Sequence, residues 1–256
     1  MSELHSPVQF IALDDLVQTN VDLGMLAYPA ALPDLALQRV SAMIELGVSA
    51  LAVKTLGEKR ALHVVGKGVR GVVVLGLAEG CRVAVKLLRT DASVKSMERE
   101  ATMHSSANSV GVGPRLFNWS RMITVMEYVE GSSLGQLIAT KPGKQLRSMF
   151  EDCLNQAYAL DSHGLDHGQL SNASDHVIVS ITGAAYIIDF SHSSALRKPS
   201  NVTSLISYLL NVVAKNKPKD PQLLSLLKLY KQRYSRDLFD EVKSRALNLL
   251  GEEPIY

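Results

Sequence analysis

Short β-branched runs separated by glycine fill the chain from residue 60 to 90. Val64-Val65, Val72-Val73-Val74 and Val83-Ala84-Val85 read as three strands, the first two joined over a glycine turn. The pattern before them is different. In residues 8–57, Leu37, Val40 and Ile44 fall at helical spacing, with Ala36 and Met43 flanking that face and Gly47 as the stop. Pro29 and Pro33 separate this helix from an earlier apolar segment, so 1–57 is expected to be a helical extension. After the strands, Ser93–Asn108 reads as a helix with Ser93 as its N-cap. Met97, Ala101 and His104 share one face; Glu100 lies on that face and Glu98 off it. Val110–Pro114 is a loop. Arg115–Asn118 and Met122–Tyr128 are two further strands, and Val129-Glu130-Gly131 a turn.

From there the periodicity is mostly helical. Leu134–Ala139 is a short helix. Gln145–His163 is a long one, with Leu146, Met149, Phe150, Cys153, Leu154, Ala157 and Leu160 at helical spacing and Gly164 ending it. A polar loop then runs into a strand, Thr182-Gly183 turns the chain, and Ala185–Phe190 returns. Helices near Val202–Lys215, Pro221–Arg233 and Asp237–Leu250 complete the chain. The expected fold is α+β and two-lobed. Residues 1–57 are the helical extension, 58–130 a lobe of small antiparallel sheet plus one helix, and 131–256 a mostly helical lobe.

Composition adds limits. At 256 residues, 46% hydrophobic and 20% charged, the chain can bury a sizeable core and is neither disordered nor fibrous. No apolar run reaches the length of a membrane span, and MSELHSPVQF lacks the basic-then-apolar order of a secretory leader, so a cytoplasmic location away from membranes is expected. Cys81 and Cys153 are too few for a disulfide framework or a zinc site and read as small buried hydrophobes. The net charge of +2 is unevenly spread. Residues 1–57 hold six acids against two bases, and residues 196–256 hold six acids against eleven bases. The basic end suits an acidic partner such as RNA or a ribonucleoprotein; a solvated, lysine-rich helical face is the simpler explanation. A winged-helix nucleic-acid module would fit the first 57 residues by length, but their acidity opposes phosphate contacts.

The candidate chemistry sits in the strands. Gly66, Gly68 and Gly71 stand as G-x-G-x-x-G, where backbone without Cβ atoms can close over a phosphate with N–H groups directed at its oxygens. Lys86 follows fifteen residues after Gly71 on a strand, where its ammonium can meet the same phosphates. β-branched runs on both sides distinguish this pattern from the strand-to-helix glycine turn of dinucleotide folds. The plainer reading is a hairpin with a surface lysine. Glu100, fourteen residues after Lys86 on an inward helical face, is placed to pair with that lysine; the alternative is a half-exposed helical glutamate. Asp189, ending the last hairpin strand, can reach a metal.

In this order, glycine hairpin, strand lysine, helix glutamate, lobe junction, histidine loop and strand-end aspartate, the chain resembles the protein-kinase-like superfamily along residues 60–195. The short tail is similar to the small atypical kinases, namely the RIO kinases and the kinase partner of the tRNA threonylcarbamoyl-adenosine machinery. Met97–Ala101, Ala107–Pro114, Gly164–Leu170 and Arg197–Ser204 resemble predicted archaeal serine/threonine kinases. The resemblance implies a kinase transferring the γ-phosphate of ATP, with Mg2+, to a protein serine or threonine. It assigns Lys86 and Glu100 to the phosphate-side ion pair and Asp189 to the metal. Adenine would bond to the Glu127 carbonyl and the Val129 N–H, with Met126 as gatekeeper. Two positions depart from the family pattern. The catalytic aspartate falls on Gln169, an amide that cannot accept a proton as a base does. The second metal ligand falls on Ser174, with Asn172, Asp175 and Asp166 nearby as substitutes. Gln169 can still orient a hydroxyl. These departures leave three readings open: a slow protein kinase, a nucleotide-binding pseudokinase acting as switch or scaffold, and a small-molecule kinase, for which the tail leaves little room.

Overall fold

The structure, a computed structural model, describes residues 8–140, 143–215 and 220–250. The described residues fall into two compact units, one within 1–101 and 115–128, the other within 102–114 and 129–256.

Unit one is built on a nine-stranded sheet. In chain order it holds β1 (Gln9–Ala12), the single turn α1 (Leu13–Leu16), β2 (Val21–Asp22), a 3-10 turn at Gly24–Ala27, α2 (Pro33–Glu45), β3 (Ala50–Leu56), β4 (Lys59–Leu62), β5 (Val64–Lys67), β6 (Gly71–Ala78) and β7 (Cys81–Leu88). The start of α3 (Glu98–Asn108), β8 (Leu116–Trp119) and β9 (Ile123–Glu127) complete it. The strand order is β2-β4-β3-β6-β7-β9-β8, with β1 paired to β3 and β5 to β6. Every pairing is antiparallel except β2 with β4. The longest ladder, β6 with β7, runs from Gly71 opposite Leu88 to Ala78 opposite Cys81 and sets Lys86 opposite Val73. Valines on these strands bury one face of the pleat; Val72, Val74, Val83 and Val85 all enter the core with Met43, Leu51 and Ile123.

Four expectations are corrected here. Residues 9–57 are not mostly helical, because β1 and β3 belong to the sheet itself; residues 1–7 lie outside the described chain. The core face of α2 is also rotated. Ala36, Arg39, Val40 and Met43 are buried, whereas Leu37 and Ile44 are exposed. A buried arginine displaces the aliphatic face because its guanidinium finds backbone acceptors, the carbonyls of Leu26 and Leu88. Finally, α3 begins at Glu98, with Ser96 Oγ accepting from the Glu98 N–H at 3.1 Å, so Ser93 is not its N-cap. Cys153 is buried as expected, and burial pushes its thiol pKa up, but Cys81 is exposed beside the β6–β7 turn.

Unit two follows the helical periodicity closely. It contains the later part of α3, β10 (Gly131–Ser133), α4 (Leu134–Ile138), α5 (Gly143–His163), a 3-10 turn at Leu170–Asn172, α6 (Ala173–His176), β11 (Val177–Ser180), β12 (Ala185–Ile187), and a 3-10 turn at Phe190–His192. Then come α7 (Asn201–Tyr208), a π turn at Leu209–Val213, α8 (Pro221–Arg233) and α9 (Arg236–Asn248). β10, β11 and β12 form an antiparallel three-stranded sheet. The α5 apolar face, including Leu146, Phe150, Leu154 and Leu160, is wholly buried, and α5 packs on α7 and α9. No described helix is long and apolar enough to cross a membrane.

One buried carboxylate ties this unit together. Asp161 Oδ1, near the end of α5, accepts from the Asn201 N–H and Asn201 Nδ2, each at 2.8 Å. Its Oδ2 accepts from the Val202 N–H at 3.1 Å and the Tyr230 hydroxyl at 2.9 Å. The acceptor thus sits on the N-terminal end of α7, where free N–H groups and the helix dipole favour negative charge. Burial nevertheless pushes the Asp161 carboxyl above the usual carboxylate range, against the pull of these bonds. Replacing Asp161 by Ala strands buried donors on three residues. It is expected to cost about 3 kcal/mol or more in urea unfolding. Tyr230→Phe, which removes a single donor, is expected to cost about 1 kcal/mol.

Candidate functional site

In unit one the site begins with Lys86. The β7 strand holds it between Val73 on β6 and Thr124 on β9. Its Nζ lies 2.5 Å from Glu100 Oε1 in the first turn of α3, and the two side chains are only 8% and 12% exposed. Glu100 therefore faces the lysine, as the helical face required. Gly71 makes room for this pair. A Cβ at Gly71 would stand 2.9 Å from Lys86 Cε and 3.1 Å from its Cγ, so any side chain there would push the lysine aside. Gly66 and Gly68 are different: a Cβ at either would meet only ordinary contacts, at 3.6 and 3.7 Å. The fold does not demand glycine at those two positions.

The hairpin tip is braced by groups that the sequence does not flag. The Gly68 N–H closes the turn onto the Gly71 carbonyl at 2.9 Å. Arg89 Nη1 donates to the Gly68 carbonyl at 3.0 Å while its Nε and Nη2 grip Asp91 at 2.8 and 2.7 Å. The Tyr28 ring lies under both cations, 3.8 Å from Lys67 Nζ and 4.9 Å from the Arg89 guanidinium carbon. The only hint of Tyr28 in the sequence is its place before Pro29. At the end of β9, Glu127 pairs with Val83, and its carboxylate accepts from the Arg115 N–H at 3.0 Å. Met126 lies opposite Ala84 on β7. Val129 belongs to unit two.

In unit two the loop after α5 carries Asp166, His167, Gly168 and Gln169. Asp166 exchanges both backbone bonds with Ser194, and its carboxylate accepts from Arg197 Nε at 2.8 Å, the Ser200 N–H at 3.1 Å and Ser200 Oγ at 3.3 Å. One residue, through its backbone at Ser194 and its side chain at Ser200, thus anchors both ends of the 195–199 segment, on which Leu196 is 99% exposed. Arg197 turns back over the loop. Its Nη2 donates to the His192 carbonyl at 2.6 Å, and a Cβ at Gly168, where φ is +83°, would stand 2.4 Å from that same Nη2. The absence of a Cβ at Gly168 leaves space for the Arg197 guanidinium. Gln169 is half-buried; its Oε1 is fully buried and has no hydrogen-bond partner among the described residues.

His167 is completely buried. Its N–H donates to Asn201 Oδ1 at 2.8 Å, which links the loop to the Asp161 network. Its Nε2 lies 3.0 Å from the Ile188 carbonyl, so Nε2 carries the proton and the ring is neutral. Asp189 lies two residues past the end of β12, in left-handed backbone with φ 64°, and its carboxylate accepts from the Ser191 N–H at 3.3 Å. Phe190, buried beside it, stacks on His104 at 4.9 Å and meets the edge of His167 at 5.3 Å.

The residues around Ser174 differ from expectation. The segment is a helical turn, α6, not an open loop, and the Ser174 hydroxyl lies 2.6 Å from the Tyr208 hydroxyl. Asn172 Nδ2 donates to Asp175 at 2.9 Å. His176, at the end of α6, accepts from the Ile188 N–H at 2.9 Å, which brings its backbone beside the strand leading to Asp189. Its ring centroid lies 5.6 Å from that of His167. Among the described residues no group of three or more His, Cys, Asp or Glu side chains is gathered as a metal site. Asp189 supplies a carboxylate of the kind that holds a magnesium ion shared with substrate phosphates.

Part of the basic end is paired. Arg236 bonds to Asp240 at 2.8 Å, Lys243 lies 3.7 Å from Asp240 and 3.9 Å from Glu151, and Arg245 reaches Asp220 at 3.2 Å. These contacts fit a solvated helical face. Lys217 and Lys219 lie outside the described residues.

The family model of the RIO domain matches residues 82–219, more than half the chain. The match takes in Lys86, Glu100, Gln169, Ser174 and Asp189 and begins after the glycine hairpin. No curated protein matches the chain.

Burial, against the Ile188 bond and the charges of Asp189 and Asp166 and helped by the neighbouring His176, lowers the His167 pKa to about 4. Between that value and the ordinary histidine range near 6.5, the unfolded chain holds the extra proton. Stability therefore rises with pH across this window and is fully present above it, by up to about 3 kcal/mol from this group. Urea unfolding from pH 4.5 to 7.5 should show that slope, and His167→Gln should flatten it.

Proposed function

The chain belongs to the RIO-domain family, an atypical protein-kinase-like, ATP-binding family, and we propose that it transfers the γ-phosphoryl group of ATP to a serine or threonine hydroxyl of a protein. The observation that carries this reading is the Lys86–Glu100 pair, with its nearly buried charges 2.5 Å apart beneath Gly71. Desolvating such a pair costs about as much as its attraction returns, so it is a poor means of stabilising a sheet. It is a good means of holding an ammonium in one place for a phosphate. The structural alternative, an ion pair that only pins α3 to the sheet, predicts no effect of nucleotide on either residue.

In this scheme Lys86 meets the phosphates, the hairpin that carries Gly66 and Gly68 lies against them, and Asp189 holds magnesium. The metal, when bound, neutralises charge on the β- and γ-phosphates. Adenine bonds to the Glu127 carbonyl and the Val129 N–H. The acceptor oxygen forms its bond to phosphorus as the bond to the ADP oxygen breaks, and the hydroxyl proton passes to a phosphoryl oxygen. Gln169 serves as an acceptor that orients the hydroxyl. Its buried, unpartnered Oε1 supports that role, because an unsatisfied buried acceptor costs about 1–3 kcal/mol unless a ligand or water completes it.

A second reading, a nucleotide-binding pseudokinase, is favoured by the state of the nearby carboxylates. Asp166 is engaged by Arg197 and Ser200, and Asp175 by Asn172, so neither is a ready substitute for the missing base.

Calorimetry with magnesium-ATP tests the binding scheme. Lys86→Ala and Asp189→Ala should each weaken binding tenfold or more, about 1.4 kcal/mol. Gly71→Ala should weaken it by displacing Lys86, and Gln169→Ala should stay within a few-fold of wild type. Equal losses at all positions would count against it.

Autophosphorylation with labelled ATP separates the two readings. A slow kinase limited by its missing base should gain on the order of a hundredfold from Gln169→Asp, in turnover and not in ATP affinity. A pseudokinase should transfer nothing before or after the change.

A further inference from the structure

We propose that unit one carries a docking groove for an acidic segment of a partner protein that inserts apolar side chains, and that its occupant acts on α3. The groove, about 340 Å³, lies where the start of α2, the end of β7, the lead into α3 and the β8–β9 turn meet. Its apolar lining comes from Leu32, Leu35, Leu88, Ala92, Val94 and Met122. Leu88 and Ala92, with Met97, form a small core of their own, separate from the main one, with Val94 and Met122 packed against it. Leu32, at the groove, is half exposed, an unfavourable place for a leucine with nothing over it.

Charge selects the occupant. Every charged residue that lines the groove is basic: Arg89, Lys95 and Arg121. Arg89 is largely neutralised by Asp91, but Lys95 and Arg121 are exposed and rim the groove with positive charge. An apolar floor under a cationic rim complements a peptide that alternates carboxylates with large apolar side chains; a neutral or basic peptide leaves the rim uncompensated.

The far wall gives the groove its consequence. Arg121 Nε donates to the Lys95 carbonyl at 3.1 Å, and the Met97 N–H donates to the Arg121 carbonyl at 2.9 Å. Ser96 then caps Glu98, and the Ala101 N–H bonds back to Met97 at 2.8 Å. Residues 94–97 therefore join the groove directly to the helical turn that carries Glu100. A side chain pressed on Val94 and Met122 would bias that turn toward the position in which Glu100 holds Lys86. This regulatory half rests on the proposed nucleotide role of the pair; the binding half does not.

The test is a display library of random dodecapeptides panned against the full chain, followed by fluorescence anisotropy with the best labelled peptide. Enrichment of sequences that combine Asp or Glu with Phe, Leu, Ile or Trp is expected. Val94→Asp and the double variant Lys95→Glu/Arg121→Glu should each weaken the selected peptide at least tenfold, with unchanged unfolding midpoints. A tail variant, Glu252→Gln/Glu253→Gln, should bind it as wild type does. The proposal is overturned by no enriched motif, by enrichment of basic peptides, or by binding indifferent to those groove substitutions. It is equally overturned if laurate at micromolar concentration, or a synthetic peptide of residues 251–256, occupies the groove in preference to the selected peptide. If the peptide binds but leaves magnesium-ATP affinity unchanged in wild type while Lys86→Ala abolishes that affinity, the regulatory half alone fails. If Lys86→Ala also leaves ATP affinity intact, the nucleotide role of the pair fails and the docking groove stands.

Discussion

The arrangement of unit two depends on one buried carboxylate. Asp161 receives hydrogen bonds from the first turn of α7 and from Tyr230 on α8, while Asn201, held by Asp161, bonds to the backbone of Leu165 and His167. Three helices and the loop bearing Gln169 are thereby referred to a single point near the end of α5. Apolar packing alone would fill the same space with many near-equivalent arrangements of leucines. The directional bonds select one of them. His167 extends the constraint through Ile188 toward Asp189, so the loop and that carboxylate share a frame.

Unit one solves a different problem, that of placing an ammonium on a flexible four-carbon stem. The stem is confined by strand pairing on both sides, by the absence of a Cβ at Gly71, and by Glu100 at its end. The N-terminal segment takes part in the same support. β3 pairs with β6, Tyr28 lies against Lys67 and Arg89, and Arg39 binds the carbonyl that ends β7. Residues 9–57 are structurally part of the unit that carries Lys86.

Much of this was legible because the informative residues lie on regular elements. Strand and helix periods put Lys86 and Glu100 on facing surfaces, and unbroken helical spacing identified α5, α8 and α9. Failures fell where the period is ambiguous or absent. Ala50–Val53 is buried on both faces, so it shows a continuous apolar run and not the alternation of a half-exposed strand. Arg39 occupies an apolar face for the sake of backbone acceptors far away in sequence. The α3 start was misplaced because Ala92, Val94 and Met97 serve an extended segment that packs at helix-like intervals. α6 is a single turn, too short to show any period. The downstream source of Arg197 at Gly168 leaves no local trace.

Asp166 has a consequence beyond its own contacts. By closing the 195–199 segment into a ring fastened at Ser194, Arg197 and Ser200, it holds the exposed Leu196 on a frame settled when the chain folds. Most protruding loops surrender their freedom only on encounter, and association there is weakened by that loss. Here the entropy has been given up in advance, so a surface meeting Leu196 finds a stiff knob, and its affinity is set by fit and desolvation and little by ordering.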